Sequence, residues 1–112
     1  MEVLNQQKIE RLSGEIGQEN VPVLLDIFLG ELNTYLESLN SSQTLDKGQY
    51  LKEISHALKS SAASFGADKL CAYAAEVDAA AKAGQSQIEA TYAASMIELL
   101  ETTKMRYQQL IV

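Results

Sequence analysis

Apolar residues recur along most of this chain three and four positions apart, the spacing that gathers them on one side of a helix; nowhere do they alternate as in a half-buried strand. The first such segment runs from Leu4 to Ile16, with Leu4, Ile9, Leu12 and Ile16 on one side and Gly17 as its stop. A second begins at Asn20, a good N-cap, and reaches Leu39, with Pro22 in the first turn, where a missing N–H does little harm. Its stripe of Val21, Leu24, Leu25, Phe28, Leu32, Tyr35, Leu36 and Leu39 is wide enough to face a core. The segment from Asn40 to Gly48 is rich in turn formers and has no period, so it reads as the longest connection.

Helical spacing resumes from Tyr50 to Phe65, with Leu51, Ile54, Leu58, Ala62 and Phe65 on one face and Gly66 closing the helix. Asp68 is placed to cap a fourth helix, Lys69 to Ala83, whose stripe of Leu70, Cys71, Ala74, Val77 and Ala81 is narrow; Gly84 ends it. Ser86 to Glu89 has the form of a capping box opening the last helix, which carries Ile88, Tyr92, Met96, Leu99, Thr103 and Leu110 along one side. Short connections between the last three helices favour antiparallel neighbours. The prediction is all-α: an antiparallel up-down four-helix bundle with a short extra N-terminal helix, one domain over residues 1–112.

Charge and composition then exclude several classes of function. A net charge of −6 with no run of Lys or Arg argues against nucleic acid or an anionic membrane as partner. The single cysteine, Cys71, leaves no internal disulfide and no multi-cysteine metal site, and it reads as a buried packing residue. No segment has the length and apolarity to span a bilayer, and no positive flank precedes an apolar stretch near Met1, so the expectation is a soluble cytoplasmic protein.

The chemistry narrows to His56, the only histidine. At about 100° per residue, the apolar set around Leu58 points one way and His56 nearly the opposite way, toward solvent. Lys52 and Lys59 lie one turn to either side, with Ser60 and Ala63 on the same face. Ser60, Ala63 and Ser64 keep that surface low enough for another protein to approach the ring. Imidazole titrates near neutrality, so a ring nitrogen can offer a lone pair to an acyl phosphate, and phosphoryl transfer asks little more than a nucleophile, in-line access and nearby positive charge. Taken alone, however, a solvent-facing histidine between lysines is commonly an ordinary surface residue, and spacing leaves its role open.

The run His56-Ala57-Leu58-Lys59-Ser60-Ser61-Ala62-Ala63-Ser64-Phe65-Gly66-Ala67 resembles the signature of histidine-containing phosphotransfer (HPt) domains: histidine, leucine two residues on, lysine at the third, small residues, then an apolar residue before glycine. The likeness extends through helix number, motif position and Ala81-Lys82-Ala83-Gly84. Within the family, Val21 to Glu31 and Leu51 to Ala67 are similar to free-standing members that serve quorum-sensing relays.

The resemblance implies that His56 is the phosphoacceptor and that Lys59 stabilises the phosphoryl group; Lys52, four residues before the histidine on the same face, is a supporting candidate from its spacing. It also implies two partners: a donor receiver domain on a hybrid sensor histidine kinase and a downstream response regulator. Ser60 stands where the family usually has glycine; its hydroxyl can bond a phosphate oxygen or cap back onto the helix. Alignment brings Asp78 to a position where the family often has a polar residue near the histidine, although a solvated acid fits equally. Gly66 reads as structural, Phe65 as core, Ser61 and Ala62 as small packing residues.

No phosphate loop or carboxylate cluster accompanies the histidine, so the expectation is a carrier with no cofactor of its own and no kinase activity toward ATP, Mg²⁺ belonging to the receiver. It is expected to work as a monomer. A helical adaptor that binds receivers without accepting phosphate, and a dimeric histidine-kinase hairpin, are the competing classes.

Overall fold

A computed structural model describes residues 1–111, with helices α1 (Gln6–Ile16), α2 (Val21–Asn40), α3 (Lys47–Phe65), α4 (Asp68–Lys82) and α5 (Ile88–Ile111), plus a 3₁₀ turn at Gln18–Asn20. Helices α2 to α5 form the predicted bundle, each packed on the next and α5 returning to α2. Aromatic pairs give the directions. Phe28 stacks on Phe65 at 4.7 Å while Tyr35 meets Tyr50 edge-on, so α3 runs down as α2 runs up; Phe28–Tyr107 together with the Lys104–Asn33 hydrogen bond makes α5 antiparallel to α2, and Tyr73 packs edge-on against Tyr92 where α4 meets α5.

The core holds Leu25, Phe28, Leu32, Leu36 and Leu39 from α2, Leu51, Ile54, Leu58 and Ala62 from α3, and Leu70, Ala74 and Val77 from α4. Val21, Tyr35, Phe65, Cys71 and Ala81 are half-buried at its margin, so Cys71 is not the fully enclosed thiol expected, and Leu24 is also half-buried. On α1, Ile9 is buried with Leu4, whereas Leu12 and Ile16 are half-buried. The stripe of α5 departs from expectation after Met96. Leu100 and Tyr107 are buried while Leu99 is half-buried and Leu110 exposed, since steps of four, three and four from Met96 stay on the core side and Leu110 drifts off it. Thr103 tolerates full burial because its hydroxyl donates to the Leu99 carbonyl at 2.7 Å.

Several helix starts also move. Asn5, with its side chain accepting from the Lys8 N–H, caps α1, so Leu4 lies outside the helix; Leu4 and Ile9 hold the positions of a hydrophobic staple. Asn20 does not cap α2, because its amide donates back to the Ile16 carbonyl at 2.7 Å. Helix α3 begins at Lys47, three residues earlier than expected, because the Asp46 carboxylate accepts from the Gln49 N–H and caps it. At α5 the capping box does not form: the Gln87 carbonyl takes the first helical bond from Thr91, making Gln87 the cap and putting Ser86 and Glu89 one register off.

Asp68 is likewise no cap. It is the first residue of α4, and its carboxylate receives Asn5 at 2.7 Å and Lys8 at 2.8 Å, clasping the N-terminal segment to the α3–α4 joint. Those two bonds hold the Asp68 carboxyl below its ordinary range. A carboxyl depressed in the folded state stabilises fully above the unfolded pKa, near ~3.9, and that contribution is lost as pH falls through the lower folded value. The urea midpoint of the wild type is therefore expected to fall on acidification below about pH 4, and Asp68→Asn to lower it at neutral pH while narrowing the gap to wild type in acid. A constant gap across that range would refute the clasp.

Candidate functional site

Helix α3 turns Leu51, Ile54, Leu58 and Ala62 into the core and thereby turns His56 outward, with 68% of its side chain exposed. The imidazole is not isolated. Its Nδ1 lies 3.4 Å from Oδ1 of Asp78, which α4 projects across the α3–α4 interface. Asp78 is almost fully buried, and its other oxygen receives the ammonium groups of Lys59 and Lys82, each at 2.9 Å. Lys59 comes from the helix of the histidine, one turn on; Lys82 comes from one turn beyond Asp78 on its own helix. Hydrogen bonds from Lys82 and Lys59 hold the Asp78 carboxyl well below the usual carboxylate range, outweighing the opposite pull of burial. It is thus an anion at any physiological pH, with one oxygen on two cations and the other beside the ring.

With Nδ1 turned to Asp78, Nε2 is the ring nitrogen available to another molecule. An open groove between α3 and α4 runs past it, lined by Gln49, Lys52, Glu53, His56, Asp78, Ala81 and Lys82, so Lys52 adds a third ammonium to the neighbourhood and Glu53 a second carboxylate. On the opposite flank the surface stays low, as expected for Ser60 and Ser64, both exposed. The Ser64 hydroxyl caps back onto the Ser60 carbonyl at 3.1 Å, while that of Ser60 makes no bond among the described residues. Ala63 is half-covered, because Lys8, Arg11, Leu12 and Glu15 of α1 flank it together with Ser64. Ser61 does more than pack: its hydroxyl donates to Glu31 of α2 at 3.0 Å.

Of the residues singled out in the sequence, His56, Lys52 and Asp78 line this groove, Lys59 joins them through Asp78, Ser60 is exposed one turn beyond His56, and Gly66 stands at the far end of α3. Lys82 was not singled out as a site residue. The signal was present in its i, i+4 spacing from Asp78, a pairing that helices favour. Among the described residues no three His, Cys, Asp or Glu side chains cluster closely enough to hold a metal, and no helix is long and apolar enough to cross a membrane.

Residues 23–108, which include all of α3 and α4, match the family model described as the Hpt domain. The chain is an Hpt domain. This Hpt domain is 57% identical over 107 residues to the phosphorelay protein LuxU of Vibrio harveyi, covering 96% of this chain and 94% of that one. It is 56% identical over 110 residues to LuxU of Vibrio cholerae serotype O1, covering 98% and 97%, and 55% identical to LuxU of Vibrio vulnificus, covering 96% and 93%. No solved structure matches it at a significant level.

Proposed function

We propose that this Hpt domain is a phosphorelay intermediate in quorum-sensing signal transduction, with His56 as the phosphoacceptor. The observation that carries the reading is the exposed imidazole with one nitrogen against a buried carboxylate, the other free, and three lysines around it. The Nε2 lone pair attacks the phosphorus of a partner's aspartyl phosphate, the N–P bond forms, the P–O bond breaks, and the carboxylate departs; onward transfer reverses these events at a second aspartate. Lys59 offsets charge on the phosphoryl oxygens, Lys52 adds to the local positive field, and Ser60 leaves room for the incoming receiver.

The donor is the receiver domain of a hybrid sensor histidine kinase and the acceptor a LuxO-like response regulator, both met in the cytoplasm by a monomer of this chain. Mg²⁺ is supplied by the receiver. The test is incubation of the purified domain with a phosphorylated receiver, followed by treatment of the labelled product with acid and with alkali. A label lost in acid and kept in alkali is expected. A label kept in acid and lost in alkali would place the phosphate on a hydroxyl instead of His56, and no label from a receiver that binds would leave a helical adaptor as the better description.

A further inference from the structure

Two ammonium groups on a single carboxylate oxygen are arranged as they would be on a phosphoryl oxygen. We infer that Asp78, Lys59 and Lys82 form an exchangeable anion seat beside His56: Asp78 holds both lysines in the free protein and yields them to the phosphoryl group, which makes Lys82 a second phosphoryl-contacting cation and Asp78 the internal competitor that limits how tightly the group is held. The inference rests on His56 being the phosphoacceptor.

Geometry supplies both sides of the exchange. The two lysines, the carboxylate and the ring form one connected cluster of contacts between 2.9 and 3.4 Å, so rotation of the lysine stems is enough to carry an ammonium from Asp78 to a group on Nε2. Lys82 is 61% and Lys59 39% exposed, so both retain freedom to move, whereas the 7% exposed Asp78 side chain is fixed. Stripping cations from a buried carboxylate is ordinarily costly. Here the reaction itself supplies a replacement. When Nε2 bonds phosphorus and Nδ1 keeps its proton, the ring carries a positive charge, and that charge arises 3.4 Å from Asp78 Oδ1. The lysines move to the phosphoryl oxygens while the cationic ring takes their place at the carboxylate. A relay intermediate gains from such compensation, because a phosphoryl group held too strongly in the ground state would be slow to leave.

Phosphoramidate tests this without a protein partner: Nε2 attacks its phosphorus, the P–N bond breaks and ammonia leaves. Initial rates, half-saturating concentration and phosphohistidine lifetime are measured for wild type, His56→Gln, Lys82→Gln, Asp78→Asn and the double variant, with Lys69→Gln, an exposed lysine at the other end of α4, controlling for net charge. Lys82→Gln is expected to slow labelling on the order of fivefold, the scale of one partly exposed charge pair, while Lys69→Gln matches wild type. Asp78→Asn is expected to saturate at roughly threefold lower phosphoramidate and to keep its phosphoryl group longer, because both lysines are released; adding Lys82→Gln should cancel much of that gain. Wild-type kinetics in Lys82→Gln, or weaker saturation in Asp78→Asn, would overturn the seat while leaving His56 as acceptor. Equal labelling of His56→Gln would instead remove the acceptor reading itself.

Discussion

Replacing His56 with Gln is expected to abolish phosphoryl acceptance, on the order of 10³-fold or more, while leaving the fold in place. The two halves of that prediction come from different features. Acceptance fails because glutamine has no ring nitrogen lone pair, and among the described residues no other histidine is available. The fold survives because the side chain is 68% exposed, glutamine is a good helix former, and Asp78 keeps both lysine partners. A surface change of this kind falls within roughly 0.5 kcal/mol, or about 2–4 °C in melting temperature for a domain near this size. The check is a transfer assay from a phosphorylated receiver paired with thermal denaturation. Residual transfer at more than a few per cent of wild type would move the acceptor elsewhere, and a large drop in melting temperature would show that the ring does structural work its exposure does not suggest.

The largest stability effect is expected ten residues further on. Gly66 ends α3 at φ +80° and ψ +18°, the left-handed region, where a side chain costs roughly 1–2 kcal/mol. Space is the second problem. A Cβ there would stand 2.9 Å from the Asn5 carbonyl oxygen and 3.1 Å from Cβ of Lys8, and backbone cannot swing aside as a side-chain tip can. The neighbouring Gly66 carbonyl accepts the Asn5 N–H at 2.7 Å, so moving Asn5 also breaks that bond. Gly66→Ala should therefore cost about 2–3 kcal/mol and lower the melting temperature by roughly 10–20 °C. A change under about 2 °C would mean that neither the left-handed backbone nor the contact with Asn5 opposes a side chain there.

Much of this arrangement was legible before any coordinates. The faces of α2 and α3 followed from their apolar spacing, and the outward aim of His56 followed from the inward aim of Leu51, Ile54, Leu58 and Ala62. What stayed hidden depended on how one helix rotates against another. Asp78 follows Val77, at the edge of a narrow stripe, where a small change in rotation decides between solvent and burial; only the position of α3 resolves it. The partnership with Lys82 was visible as spacing, but that the pair faces His56 is a property of packing. Helix starts were obscured for a different reason. Residues that cap helices are also those that build turns, so Asp46 vanished into a turn-like segment, while Asn20, Asp68 and Ser86 looked like caps and serve otherwise. On α5 the adjacent Leu99 and Leu100 offered two phases of the same period, and the core takes Leu100.

The buried phenol of Tyr107 donates to the carbonyl of Phe65, and its ring meets the edge of Phe28, so a residue of α5 secures the end of the histidine-bearing helix. That placement has a consequence for synthesis. The α3–α4 pair that builds the site comes from adjacent sequence and can associate early, whereas the α2–α5 face waits for α5 to leave the ribosome. A nascent chain halted before Tyr107 would present the histidine surface on an unclosed bundle, with the Phe28 and Phe65 rings still open to water.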